Sequence, residues 1–460
     1  MPKARANGLG LSIILCERQV NPVMMHRLKR LARDLTPSRV LSLGFLGVIL
    51  TGGILLALPV SWNPGQHVRF LDALFVSCSA VCVTGLTTVP CGDSFNLFGR
   101  TVLGTLIQIG GLGVAALSVT ITLLMGRKIG LKARQVLSAA MNFSGVGGLI
   151  NFLKILLRFT LIFELSGAIL CFFVFVQDYP PLQAAGYALF HSVSAFNNAG
   201  FDVFGGYDSL LHYAHNVPLN LITMALVIIG GFGFFAMWDM GHCRFKWKKF
   251  TLNTKVVTVM TVLLLVLGTA FLYWTTNQTL LEAAFQSVIA RTAGFNTHPL
   301  SSYTEAALLI FTVLMFIGAN PGGTGGGIKT TTFFAVAMKA ISSTMRGDRD
   351  EVFYRKIPNV VFTQALTVFF YGLTVITVST ILILAFEQDL SLSAVLVEVT
   401  SAFATVGSTV GITPGLCSAS KIVLMICMFI GRLGPLTIAT VLAFKGKSEA
   451  HFTEETIMIG

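Results

Sequence analysis

The sequence predicts an all-α polytopic membrane protein made of four fused units, each a span, a re-entrant pore loop and a second span. That is eight transmembrane spans and four re-entrant pore helices, with pseudo-fourfold symmetry about the membrane normal. Three observations carry the expectation: apolar composition, apolar runs of membrane-crossing length, and a fourfold recurrence of glycine markers. Of 460 residues, 54% are hydrophobic and 11% charged, which is more apolar surface than a water-soluble fold can hide. Apolar runs fall at 40–60, 101–125, 155–176, 216–238, 256–275, 360–386 and 419–444, each with the roughly 20 residues needed to cross a ~30 Å hydrocarbon core. An eighth run, 305–345, has about twice that length and contains GANPGGTGGGIKTTT at 318–332.

Between the spans of each pair lies a short, semi-apolar segment ending at a glycine: FVSCSAVCVTGL (75–86), FHSVSAFNNAGF (190–201), FQSVIARTAGF (285–295) and VTSAFATVGS (399–408). Ser-Ala precedes that glycine in fixed register as Ser79-Ala80, Ser194-Ala195 and Ser401-Ala402, while the third copy is one residue shorter. A second marker follows as IGGLG from 109, IGGFG from 229, IGAN from 317 and IGRLG from 430, its glycine 25, 30, 24 and 24 residues after the first. Such recurrence defines a repeat. The repeats are drawn at 40–126, 150–241, 254–346 and 358–445, flanked by an N-terminal segment 1–39 and a tail 446–460. Gly110-Gly111 and Gly230-Gly231 are read as packing glycines that let helices approach closely. Each unit crosses twice, so every copy starts on the same side and the four loops can close around one axis.

Charge gives orientation. Of 32 Lys and Arg residues, 26 lie in 1–40, 126–158, 241–255, 338–358 and beyond 444, whereas 177–220 has none. The positive-inside bias then places both termini and the basic connections in the cytoplasm and the chain in the cell membrane. Placement in alternate connections also argues against nucleic acid as the partner of the net +12 charge. The apolar stretch 8–15 is too short for a secretory signal, so the spans themselves are expected to direct the chain to its membrane. Eight scattered cysteines lack a CxxC pair and read as apolar fillers. His191 reads as packed within the second pore helix. No Ser/His/Asp or paired-carboxylate pattern supports an enzyme, and no covalent cofactor is expected.

Irregular backbone survives at membrane depth only where protein or a wet cavity satisfies it. Glycine admits positive φ, so loop carbonyls can turn to an axis and replace an ion's hydration shell, while each half-helix directs its partially negative C-terminal end at the same point. This chemistry suits a cation. The filter positions are Val83, Thr84 and Gly85; Asn198, Ala199 and Gly200; Thr292, Ala293 and Gly294; Thr405, Val406 and Gly407. The last triplet looks like the start of the potassium-channel TVGYG filter, and the others are degenerate versions. With SAFNNAGF, ARTAGF and the stretch 318–332, the pattern over residues 40–445 resembles the Trk/Ktr/HKT superfamily of potassium transporters, nearest its Ktr-type membrane subunit. The second filter glycine of TVGYG is replaced by Thr87, Asp202, Asn296 and Thr409, which implies fewer carbonyl sites and looser selectivity. Gly85, where a serine accompanies sodium transport in the family, implies potassium. A sodium-permeable or sodium-coupled cation transporter of the same fold stays open, as does, more remotely, a nucleotide-driven pump or membrane enzyme.

The glycine-rich interruption splits the span 305–345 beneath the filter. By resemblance it is an intramembrane gating loop, with Gly318, Pro321, Gly322, Gly323, Thr324, Gly325, Gly326, Gly327 and Lys329 as its residues. A phosphate-binding loop is the rival reading, but Ile328 separates glycine from lysine and no strand precedes it. Lys329 is expected either in the gate or snorkelling to the cytoplasmic interface. Arg432, thirteen residues from each end of a span drawn at 419–445, should face the interior or a wet cavity, and the resemblance places it beside the gating loop. Arg291 is expected to brace the third loop against Glu398 or Glu282. The resemblance further implies a homodimer on a cytoplasmic nucleotide-binding ring, with potassium as substrate, lipid around it, and nucleotide held only by the partner.

Overall fold

The computed structural model of the chain describes residues 36–125, 129–140, 148–344, 350–435 and 437–438. The segment 1–35 and the expected tail lie outside them. Helices dominate. In chain order they are α1 (Pro37–Ala57), α2 (Phe70–Cys82), α3 (Leu97–Leu112), α4 (Val114–Leu124), α5 (Leu131–Ala140), α6 (Leu149–Phe175), α7 (Pro181–Phe196), α8 (Val217–Gly231) and α9 (Phe234–His242). They continue as α10 (Leu252–Thr275), α11 (Leu280–Ile289), α12 (Glu305–Phe316), α13 (Thr330–Thr344), α14 (Asn359–Phe386), α15 (Leu392–Ala404) and α16 (Ser418–Leu433).

Local sequence sets the boundaries. α1 opens with Thr36 accepting from the Arg39 N–H and Pro37 in the first turn, and it ends just before Pro59, a residue that disfavours helix in the position preceding it. α11 starts with a capping box in which Thr279 and Glu282 satisfy each other's backbone N–H groups. Among the described residues four helices, α1, α6, α10 and α14, are long and apolar enough to cross a membrane, and α3–α4 and α8–α9 would add two more if each bent pair is one span. Their outward faces carry exposed apolar side chains such as Ile162, Ile169, Val266, Phe370 and Ile381. A solvent-facing helix would place polar residues there, so the pattern fits lipid.

The bends depart from the uninterrupted spans expected. α3 and α4 meet at 98° and α8 and α9 at 90°; the joints are Gly113 (φ +88°) and Gly233 (φ +96°), conformations that side chains resist. Gly434, at φ +87°, ends α16 in the same way. Arg432 therefore lies in the last turn of a helix and not at the middle of a straight one. The all-α expectation also meets a small exception, an antiparallel hairpin pairing Glu351–Val352 with Arg355–Lys356. Phe353 and Tyr354 both have positive φ at its turn, the geometry that matches strand twist in two-residue loops.

Packing runs in a circle. Each short helix α2, α7, α11 and α15 lies against the long helix before it, α1, α6, α10 and α14 respectively. Between units, α3 packs on α7, α8 on α11, α12 on α15 and α16 back on α2. At the seam between first and last units, Lys421 Nζ on α16 lies 2.9 Å from Asp72 Oδ1 on α2. In three units the short helix is clamped by the same device: Ser77, Ser192 and Ser287 donate to the carbonyls of Ile49, Glu164 and Leu265 (2.7, 2.7 and 3.1 Å). Three residues on from each carbonyl is Gly52, Gly167 or Gly268, where a Cβ would collide with that serine Oγ.

Candidate functional site

The four short helices end at the four segments expected to form a filter. Val83 and Thr405 take left-handed conformations immediately after α2 and α15, and Asn198 does so two residues after α7 (φ +58°, +53° and +57°). The shorter third copy makes the turn without such a residue. All four glycines have positive φ: Gly85 +99°, Gly200 +68°, Gly294 +68° and Gly407 +95°. Serine fixes the bend in the first and fourth copies, where Ser79 and Ser401 accept from the N–H groups of Gly85 and Gly407 at 3.0 Å. In the second copy Ser194 instead donates to the Phe201 carbonyl at 2.8 Å.

These glycines meet one another in order. A Cβ on Gly85 would lie 2.5 Å from the Ala199 carbonyl oxygen and 3.2 Å from Gly200 Cα; one on Gly200 would lie 2.5 Å from the Ala293 oxygen and 3.1 Å from Gly294 Cα. One on Gly294 would strike the Val406 oxygen and Gly407 Cα, and one on Gly407 the Thr84 oxygen and Gly85 Cα. The sequence of neighbours, 85 to 200 to 294 to 407 and back to 85, is a closed ring. Gly110 and Gly230 pack as expected, and Gly431 does likewise: a Cβ on each would strike the carbonyl of Val81, Phe196 or Phe403, four residues before the ring glycine of its unit. The third marker differs because the loop intervenes, and Gly318 packs on the Gly326 carbonyl.

The glycine-rich segment crosses one side of this ring. It leaves α12 and returns to α13 with the Gly318 N–H donating to the Ile328 carbonyl at 2.9 Å. In between it bonds to α8, through Asn320 to the Gly231 carbonyl and Thr324 N–H to the Gly230 carbonyl (3.3 and 3.2 Å). Asn320 also accepts from Thr330 Oγ1 at 2.5 Å and donates to Thr261 Oγ1 at 3.0 Å. Further along, the Gly326 N–H donates to Thr405 Oγ1 at 2.8 Å, and the missing side chain of Gly325 leaves room for that of Thr292. Two cations hold the segment. Lys329 Nζ donates back to the carbonyls of Gly325 (2.6 Å) and Gly326 (3.4 Å), so it does not snorkel away. Arg432 donates from one nitrogen to the Thr324 carbonyl and from the other to the Gly110 carbonyl, tying loop, first unit and fourth unit together.

Arg291 corrects an expectation. The sequence points to Glu398 or Glu282 as its partner, yet Glu398 accepts from Thr409 (2.8 Å) and Thr413, while Glu282 caps its own helix. Arg291 is buried and lines a cavity with Asn198, Thr261 and Asn320. Two polar residues went unnoticed in the sequence: Glu164, within α6, and Gln108, within α3, both of which accept from Asn197 Nδ2 at 2.9 Å. A carboxylate inside an apolar run was the available signal.

Comparison with known proteins decides the family. The TrkH family, described as cation transport protein, matches residues 48–279 and 249–453. The chain is 36% identical over 438 residues to the Ktr system potassium uptake protein B of Bacillus subtilis, covering 92% of this chain and 97% of that one. The chain belongs to the TrkH family of cation transport proteins. Other proteins are similar too: the Ktr system potassium uptake protein B of Vibrio alginolyticus at 37% identity (92% and 94% covered) and the potassium/sodium uptake protein NtpJ of Enterococcus hirae at 35% (94% and 99% covered). In fold, the TrkH potassium transporter of Vibrio parahaemolyticus aligns at a TM-score of 0.65 with 21% identity, over 87% of this chain and 84% of that one. TrkH membership makes this a multi-pass membrane transport protein.

Proposed function

We propose that the chain takes up potassium ions across the cell membrane through a pore on the axis of the four-glycine ring. In this reading eight spans, several of them bent, and four re-entrant helices surround the axis with pseudo-fourfold symmetry. Carbonyls of the triplets ending at Gly85, Gly200, Gly294 and Gly407 stand in for the ion's water, and the negative ends of α2, α7, α11 and α15 favour a cation among them. The observation that carries the reading is the closed cycle of glycine-to-carbonyl approaches. Four loops merely dispersed in a helical protein would not meet in order.

The segment 318–329 acts as the gate, with Lys329 and Arg432 adding positive charge and hydrogen bonds on the inner side of the filter. Entry is driven by the membrane potential, which contributes about 2.3 kcal/mol per charge per 100 mV. Both termini are cytoplasmic, and a homodimer rests on a cytoplasmic nucleotide-binding ring that supplies regulation. The protein itself needs no cofactor. A second reading, sodium-permeable or sodium-coupled transport, is favoured by the similarity to a potassium/sodium uptake protein.

Purified protein in liposomes without ATP tests both. Potassium uptake that follows an imposed potential, and exceeds sodium uptake, is the expected result. Equal sodium uptake would favour the second reading, and a strict need for ATP hydrolysis would overturn both.

A further inference from the structure

Beside the ring lies a cavity bounded by Gly85, Thr87, Gly200, Asp202, Gly205 and Tyr207, residues at or after a ring glycine, whereas the glycine-rich segment touches Phe196, Thr292 and Thr405, which precede one. It touches two ring glycines from two different units, so whatever occupies it adjoins the axis. The space open to the centres of water-sized molecules is about 30 Å³, enough for an ion and a water at roughly 10–15 Å³ each. Among its lining residues Asp202 supplies the carboxylate. Oδ1 of Asp202 accepts from the Phe204 N–H at 3.2 Å, so main-chain N–H groups, and no side-chain cation, hold this carboxylate in place.

Neighbouring charges are otherwise engaged. Asp93 Oδ2 accepts from the Gly206 N–H at 2.8 Å, and Asp208 lies 3.3 Å from His212. Arg100 is turned to the carbonyls of Gly92 and Phe95, and Tyr207 donates to the Thr88 carbonyl at 3.0 Å. Asp202 therefore brings a carboxylate to the wall of a space beside the ring, and among the described residues no ion pair neutralises it.

We propose that this cavity is an outer cation site, in which Asp202 holds a partly hydrated potassium ion before it enters the ring. The proposal rests on the transport reading above. Hard oxygen donors suit an alkali ion, and a single carboxylate supplies too little charge and too few ligands for a well-held divalent ion, which takes six to eight oxygens as calcium or a rigid octahedron as magnesium. A negative group in a cleft raises the local cation concentration and so lowers the bulk concentration needed for half-maximal flux.

The test uses the whole chain in liposomes and separates KM for potassium from the maximal rate. Asp202→Asn retains the acceptor for the Phe204 N–H and so leaves the turn intact. It is expected to raise KM roughly three- to tenfold with a much smaller change in maximal rate, and Asp202→Glu to recover most of the loss. A third measurement needs no variant: choline chloride, which screens charge, should raise the wild-type KM towards that of Asp202→Asn. A wild-type KM indifferent to ionic strength, or an Asn variant altered in maximal rate alone, would overturn the site. Wild-type liposomes without potassium uptake would instead overturn the transport reading.

Discussion

A side chain at a ring glycine would have to occupy space that a neighbouring unit's main chain already holds. At Gly407 both penalties apply, since φ is +95° and a Cβ would press on Gly85 Cα at 2.9 Å. Gly407→Ser should therefore widen the ring and degrade discrimination, lowering the potassium-to-sodium permeability ratio at least tenfold, or about 1.4 kcal/mol; bi-ionic potential measurements read this directly. Arg432 has the opposite task. Its bonds run to the loop and to the first unit, and a hydrogen bond to a charged group contributes about 1.5–3 kcal/mol. Arg432→Ala is expected to raise potassium flux in liposomes roughly tenfold or more, and reduced flux in a well-folded protein would count against a gate held by this residue. The ring positions were legible in the sequence because positive φ demands glycine at a recurrent place. Lys329 was legible only as a residue of the loop or a snorkelling one, and its bonds to the Gly325 and Gly326 carbonyls came from the structure. The company of Arg291 was not legible, because pairing of distant side chains depends on how helices pack, and composition carries no record of that.

Helix ends here do the positioning, and each reads differently in sequence. The Ser-to-carbonyl clamp recurs at Ser77, Ser192 and Ser287, each eight or seven residues before its ring glycine, yet serine at such a place has no distinctive meaning until the outer helix is set beside it. Ser192→Ala should cost about 1 kcal/mol of stability, seen as a lower thermal midpoint in detergent with selectivity unchanged. The bends at Gly113 and Gly233 escaped the hydropathy pattern because apolar character continues through them, whereas the interruption at 318–329 was plain from its glycine density. That segment is bound to α8 by main-chain bonds from Asn320 and Thr324 and to Thr405, in the fourth unit, through the Gly326 N–H. Deletion of residues 322–327 removes the crossing while leaving α12 and α13 intact. Uptake should then be faster than that of the intact protein, measured as the initial rate of potassium entry into liposomes driven by an imposed potential. Flux lost from a folded deletion variant would make the segment part of the pathway's scaffold and not its gate.

Circular packing has one seam that no connection of the chain bridges, because three of its four inter-unit contacts join units adjacent in the chain and the fourth, α16 on α2, joins the first unit to the last. The repeats announce four units but not what closes them. Closure is marked by Asp72 and Lys421, 2.9 Å apart with side chains only 13% and 11% exposed. So shielded a pair contributes little beyond an apolar substitute, yet removal of one partner strands the other's charge, at a cost of about 3–5 kcal/mol when burial is complete and less here. Lys421→Met should therefore destabilise the protein by about 1–3 kcal/mol, and Asp72→Asn combined with it should recover part of the loss, a coupling of the size found between contacting residues. The ring meets the same seam where Gly407 approaches Thr84 and Gly85. If closure of the whole circle sets the ring's diameter, the single variant also loses potassium selectivity, and the double variant regains it in step with stability. Selectivity unmoved by a destabilising Lys421→Met would mean that the ring is held by its own loops, independently of the helices outside it.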